Sequence, residues 1–273
     1  MYWELFESST QFMLAHLLAD TRQKDLFIKT NRCHERMFHD LVCRIIRPSH
    51  FLEIGAHEAD VSQFVASRLP GAKCLAFEAD PDVFGFFSEK HKKLSNFSYI
   101  HSAVSDCNGR IYFQQQVSAG ELDKGMMRNN SIKVKQFPDS MYHPVEVNCC
   151  TVDSYLENDS SLTSAVLRID AEGLCYEVLA GSRNTLMQTA AIYAEVEDYQ
   201  AWVGQKTVFD VYPLLEDAGF IPVSRDVETP GQYNVLWLKH PLQQERNIRA
   251  RLALYFSELQ NILSCSALSS KRD

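Results

Sequence analysis

Four of the apolar runs in this chain end in or beside carboxylates, and acidic groups at the mouths of buried strands are costly unless they bind something. The first is Phe51-Leu52-Glu53-Ile54-Gly55-Ala56-His57-Glu58-Ala59, where an acidic strand end runs into a glycine turn. A carboxylate beside bare backbone suits a cationic, nucleoside-bearing ligand, because glycine lets the ligand approach the main chain closely. The stretch has fewer glycines than a dinucleotide fingerprint and lacks the lysine of a phosphate loop. Alone, it reads equally as a tight turn into a helix.

The second run ends Ala76-Phe77-Glu78-Ala79-Asp80-Pro81, about one βαβ step after Gly55. Glu78 is placed to accept hydrogen bonds from both ribose hydroxyls of an adenosine, or else is an exposed strand end. Asp80 reads as the cap of a helix opening at Pro81. A third strand ends Tyr99-Ile100-His101-Ser102-Ala103, small residues against which an adenine could slide while Ser102 reaches its edge. Asp106, Asn108 and Gly109 beyond it make a turn.

The fourth strand ends Val166-Leu167-Arg168-Ile169-Asp170-Ala171-Glu172-Gly173, two carboxylates one residue apart at a strand mouth. Asp170 belongs to the ligand-binding rim of a parallel sheet, although it could serve neighbouring amides while Glu172 opens the next helix. The fifth carries Glu195 and Glu197 alternating with Ala194 and Val196. Glu195 either faces the same rim as Asp170 or is a half-exposed strand residue.

The elements that position these groups alternate. Strands are expected at Phe51–Ile54, Lys73–Phe77, Phe97–His101, Ala165–Ile169, Ala191–Val196, Gly219–Val223 and Tyr233–Leu238, with helices at 59–69, 81–93, 174–188 and 206–217. Such alternation means a parallel sheet with right-handed crossovers. Only a polar loop with Thr229-Pro230-Gly231 separates the last two strands, so they form an antiparallel hairpin at one edge. Five parallel strands followed by a hairpin give the α/β, Rossmann-like, seven-stranded sheet of class I methyltransferases.

Helical segments at 3–19 and 33–46 make residues 1–47 an N-terminal helical extension. The main domain occupies 48–240. Within it the polar stretch 114–148 reads as an insertion over the strand ends, where ligands bind. A helix and tail fill 241–273, with Ile248, Leu252, Tyr255, Leu259 and Ile262 as an apolar seam opposite Arg246, Arg249 and Arg251. That seam is expected to pack on the N-terminal helices or on a dimer mate, which would make a homodimer through the terminal helices.

With 273 residues, 45% hydrophobic and 23% charged, the chain can bury a substantial core. A formal net charge of -8 repels nucleic acid and anionic membranes. Eight cysteines show no Cys-x-x-Cys pair or zinc spacing and are expected as reduced core residues of a cytoplasmic protein. Neither a signal peptide nor a membrane span is expected.

The ordered set Glu53-Ile-Gly-Ala, Phe77-Glu78-Ala-Asp-Pro, Asn96 through Gly109, Thr151-Val-Asp-Ser-Tyr-Leu, Arg168-Ile-Asp-Ala-Glu-Gly and Val178-Leu-Ala-Gly181 resembles the FkbM family of S-adenosylmethionine-dependent methyltransferases, over roughly residues 48–240. The resemblance implies S-adenosylmethionine as cofactor and O-methylation of a hydroxyl on a sugar, glycan, glycolipid or other natural product. Two departures stand out. Where the family has Glu-Ile-Gly-Ala-Asn-x-Gly, this chain has His57 and Ala59, the latter adding a methyl group near the methionine end. Where the family has Lys-Ile-Asp-x-Glu-Gly-x-Glu, it has Arg168 and Cys175.

On this basis Glu53, Gly55, Ala56, His57, Glu78, Ala79, Ser102, Ala103 and Asp170 are expected to bind the cofactor. Asp170, helped by Glu172 and by His57 or His143, is expected to position and deprotonate the acceptor hydroxyl, with Ser131, His143 and Glu195 on the acceptor side. A divalent ion held by Asp170 and Glu195 is the second choice, since carboxylate oxygens suit magnesium or manganese. The rival expectation is a non-catalytic binding or assembly module, with His57, Ala59 and Cys175 as the features in its favour.

Overall fold

The computed structural model describes residues 24–91, 93–117, 130–136, 141–226 and 231–269. The helix expected at 3–19 lies outside them. The first described helix, α1 (Lys24–Asp40), starts nine residues before the expected one and continues as a π-helical turn, Leu41–Ile46. Arg47 stops it in the left-handed region (φ 50), just before Pro48.

Seven strands form the central sheet: β1 (His50–Ile54), β2 (Lys73–Glu78), β3 (Phe97–His101), β7 (Ala165–Ile169), β8 (Thr189–Glu197), β9 (Phe220–Arg225) and β10 (Gln232–Lys239). Their order is β3-β2-β1-β7-β8-β10-β9. The first five are parallel, and β10 runs antiparallel to both β8 and β9. The expected topology is therefore present, with the hairpin's second strand seated inside its first.

Both faces of the sheet are covered, so its strands read as near-continuous apolar runs. Leu52, Ile54, Leu167, Ile169 and Ile192 face one core, and Phe51, Val166, Ala191 and Tyr193 face the other. The second core receives α1, α2 (Asp60–Arg68) and α8 (Arg246–Ser269). Ile248, Leu252, Tyr255 and Leu259 of the expected seam are buried there against Cys33, Met37 and Leu41 of the N-terminal helix and its π-turn. Arg251 departs from the expected solvent face, since its Nε donates to Asp40 at 3.0 Å.

The stretch expected as a polar insertion is partly a second sheet. Within it β5 (Gly109–Gln116) pairs antiparallel with β6 (Tyr142–Cys150), and β4 (Ala103–Val104) runs parallel to β6. Phe113, Gln115, Val147 and Cys149 alternate inward while charged and polar neighbours face out. Gln115 and the outward Pro144 conceal the two-residue period in the sequence. Residues 118–129 and 137–140 of the insertion fall outside the described chain.

The helix expected at 174–188 is two, α5 (Cys175–Ala180) and α6 (Arg183–Met187). Gly181 divides them against Ser105, whose carbonyl oxygen would stand 2.2 Å from any β-carbon there. The remaining helices are α3 (Pro81–Ser88), α4 (Val152–Leu156) and α7 (Val208–Asp217), each opened by a capping side chain, Asp80, Thr151 and Thr207 respectively. Among the described residues no helix is long and apolar enough to cross a membrane. The described cysteines carry free thiols, and Cys107 is exposed rather than in the core.

Candidate functional site

The carboxyl ends of β1, β2, β7 and β8 open onto one cavity of about 530 Å³, bounded also by Phe113 of β5 and by Asn130 and Ile132. Glu53, Gly55, Ala56, His57, Glu78, Ala79, Ser102, Ala103, Asp170, Glu172 and Glu195 all line it. Two expected site residues do not. Ser131 is buried beside the cavity, where its hydroxyl donates to the carbonyl of Glu172 at 2.6 Å and ties the insertion to the loop after β7. His143 is an exposed residue of β6, opposite Gln115, and contributes nothing to the wall.

Gly55 has φ +74, and a β-carbon there would stand 2.0 Å from the carbonyl oxygen of Asp170. Its glycine is thus demanded by the crossing of the β1 and β7 loops as well as by any ligand. Beyond it the chain makes two more left-handed steps, His57 (φ 47) and Ala59 (φ 53). These are the positions where the resembling family has Asn and Gly, the residues that tolerate this region best. The backbone path of the motif persists although its side chains have changed.

Three contacts hold that path. The His57 amide donates to Glu78 Oε2 at 2.8 Å, the Tyr99 hydroxyl donates to the His57 carbonyl, and the Ala59 amide donates to the Ala56 carbonyl at 2.6 Å. The Ala59 methyl packs with Ala56, Ala76, Phe97 and Tyr99 and does not reach the cavity, which corrects its expected place near the ligand. Cys175 likewise sits in the core with Leu174 and Val178. Of the three substitutions favouring a non-catalytic module, only His57 touches the cavity, its ring tilted against Phe87 at 5.2 Å.

The carboxylates differ in what they already hold. Glu53 is buried, capping the start of α2 through the Ser62 amide at 2.8 Å and accepting from Arg168 at 3.1 Å. Arg168 also donates to Asp170 Oδ2 at 3.0 Å, so one guanidinium joins β1 to the loop after β7. In the sequence Arg168 stands out as a departure from the family pattern, and a charge inside an apolar strand demands a partner. Glu78 accepts the amides of His57 and Asp80, and burial pushes its carboxyl up to about 7.

Burial, reinforced by the Asp170 charge, pushes Glu172 up to about 8. Glu172, Glu195 and Glu197 bring carboxylate oxygens within 4.8 Å of one another, close enough to share a cation. Asp170, expected to pair with Glu195 around a metal, is not in that group. Glu195 accepts from Gln232 at 2.9 Å and Glu197 from Gln205 at 2.7 Å. Asp80, as expected, caps α3 through the Asp82 and Val83 amides, and it also accepts from Gln115 and Asn130 of the insertion.

An apolar recess occupies the β2–β5 end of the cavity, walled by Phe77, Ala79, Ala103, Val104, Phe113 and Ile132. Phe113 belongs to β5, just before the stretch that reads as a polar insertion, and Ile132 lies within that stretch. Ser102 stands at its edge, with its hydroxyl donated to the Ala103 carbonyl at 2.8 Å and its oxygen still able to accept. Glu35, from α1, also enters the wall and was not anticipated.

Residues 53–222 match the model of the methyltransferase FkbM domain. The 2-O-methyltransferase NoeI of Sinorhizobium fredii is 26% identical over an alignment of 174 residues, with 60% of this chain and 71% of that protein covered. Among solved structures, a putative O-methyltransferase from Klebsiella pneumoniae is 12% identical, with 88% of this chain and 99% of that one covered at a TM-score of 0.40. The precorrin-6y C5,15-methyltransferase from Geobacter metallireducens is also 12% identical, covering 74% and 86% at a TM-score of 0.40.

Proposed function

The chain belongs to the FkbM methyltransferase family, and from that membership we propose that it transfers a methyl group from S-adenosylmethionine to a hydroxyl oxygen of a sugar, glycan, glycolipid or similar natural product. The observation that carries this reading is the single cavity in which Gly55, Glu78 and Asp170 meet. Its volume, about 530 Å³, suits a nucleoside joined to an amino acid. Its wall divides into an apolar recess for a base, a strand-end carboxylate for a ribose and further carboxylates for a cationic centre.

When bound, the cofactor supplies an electrophilic methyl group on a positively charged sulfur. The residues of this chain do the rest. The Glu78 oxygens hold the His57 and Asp80 amides, and the carboxylate presents its remaining acceptor capacity to a ribose hydroxyl. Phe113, Ala79 and Ala103 cover the base and exclude water. The carboxylates around the rim favour positive charge over a neutral product, so they help the product leave.

An alcohol keeps its proton at neutral pH, so a base must stand beside it. Asp170 holds Arg168 through Oδ2 alone, which fixes the carboxylate while Oδ1 remains to take the proton of the acceptor hydroxyl. Glu172, pushed up to about 8, is mostly protonated at pH 7 and so serves as a proton store rather than as the base. A second reading has a divalent cation held by Glu172, Glu195 and Glu197 orienting the acceptor, on the strength of their mutual approach.

Titration calorimetry with S-adenosylhomocysteine tests the cofactor assignment. Binding with a rise in melting temperature is expected, since a hundredfold excess over Kd stabilises a fold by about 2.7 kcal/mol. No heat and no shift would overturn the proposal in favour of a non-catalytic module.

A further inference from the structure

We propose that Glu35 binds the ammonium group at the amino-acid end of the methyl donor, an inference that rests on the donor assignment above. Glu35 lies on α1, outside the segment 53–222 that matches the family domain, and yet lines the same cavity as Gly55 and Asp170. It is exposed and holds no side-chain hydrogen bond or ion pair among the described residues.

Glu58 and Asp60 line the cavity too, Glu58 in the loop after β1 and Asp60 in the first turn of α2, where the helix N-terminus favours its charge. Glu53 and Asp170 share Arg168, and Glu195 holds Gln232. Two cations feel the charge of Glu35, Arg168 and His39. Arg168 is already flanked by two carboxylates at 3.1 and 3.0 Å, and burial pushes His39 down towards neutrality. Glu35, whose charge reaches the Arg168 that holds Asp170, is therefore a carboxylate of this wall able to pair with a ligand, and the ligand chemistry it suits is a primary ammonium.

Its position is fixed rather than accidental. On the preceding residue, His34 Nε2 meets Ser224 Oγ at 2.9 Å, and three residues on, Phe38 stacks on Tyr193 at 4.6 Å. Asp40 on the same helix is tied to Arg251 of α8 at 3.0 Å. A helix so anchored presents Glu35 with little freedom to move aside, which is what a charge recognising one group at one distance requires.

The test compares S-adenosylhomocysteine with its desamino analogue, which differs only in lacking the ammonium group, by calorimetry on the wild-type chain and on Glu35→Gln. The wild type should prefer the amino form by about tenfold or more, the value of a charge-assisted hydrogen bond. Glu35→Gln should lose most of that preference while binding the desamino analogue as before and melting at the wild-type temperature. Equal affinity of the wild type for both ligands, or a preference that survives Glu35→Gln, would overturn the inference and leave the donor assignment standing. A variant whose only change is in the KM for the acceptor would also overturn it. If the wild type bound neither ligand, both readings would fall together.

Discussion

A β-carbon on residue 55 would lie 2.0 Å from the carbonyl oxygen of Asp170, so the glycine of the β1 loop and the acidic mouth of β7 are in direct backbone contact. The turn that admits a ligand and the carboxylate proposed as base are thereby one rigid unit. Gly55→Ala should separate them. Left-handed strain and the clash each cost about 1–3 kcal/mol, and the melting temperature should fall by several degrees or the chain should fail to fold. Differential scanning calorimetry reads this directly; an unchanged transition would show that the loops can part without cost.

Ala59→Gly should leave S-adenosylhomocysteine affinity within about twofold of wild type, because the Ala59 methyl lies in the nest of Ala56, Ala76 and Tyr99 and not in the cavity. Stability should change little. Relief of the left-handed strain at φ 53 is offset by the lost buried methyl, about 0.8 kcal/mol, and by the greater unfolded freedom of glycine. A large gain in affinity would mean that the methyl does narrow the ligand site.

Folding should weaken as pH rises. Burial lifts Glu78 to about 7 and Glu172 to about 8 from an ordinary 4.5, so between those limits the folded chain binds protons that the unfolded chain has released. The contribution of these groups to stability is whole below pH 4.5 and is lost as pH climbs through 7 and 8. Denaturant titrations across this range should show the decline, and Glu172→Gln should flatten its upper part. Binding of a cationic ligand favours the ionised carboxylates and should release protons near neutral pH, measurable as buffer-dependent heats.

Asp170→Asn should lower kcat by about 10²–10⁴, the usual weight of a general base. The same assay with a chelator separates the two readings of acceptor activation. Wild-type turnover that survives chelation supports Asp170 acting through its free oxygen. Turnover abolished by chelation, and restored by magnesium or manganese, would instead favour a cation at Glu172, Glu195 and Glu197.

The strand mouths were legible in the sequence because an acidic residue at the end of an apolar run violates burial unless it has a partner. That rule located Glu53, Glu78, Asp170, Glu172 and Glu195, and the alternation of runs gave the sheet its order. It could not orient polar residues in the stretch 114–148. Ser131 there became a buried tie and His143 an exposed strand residue, since the packing that decides between them is long-range. The β5–β6 pairing was hidden by Gln115, a polar side chain turned inward to reach Asp80. Nothing in the sequence singles out Glu35 within the helical segment 33–46, and only the docking of α1 brings it to the cavity.

The most direct measurement is methyl transfer itself. The purified chain would be incubated with S-adenosylmethionine labelled on its methyl group and a panel of free and lipid-linked sugars, with products identified by mass spectrometry. The expected result is label in a methyl ether on an acceptor hydroxyl, formed in step with S-adenosylhomocysteine and lost in Asp170→Asn. Label on nitrogen or carbon, or bound cofactor with no labelled acceptor, would contradict O-methylation as the function of this site.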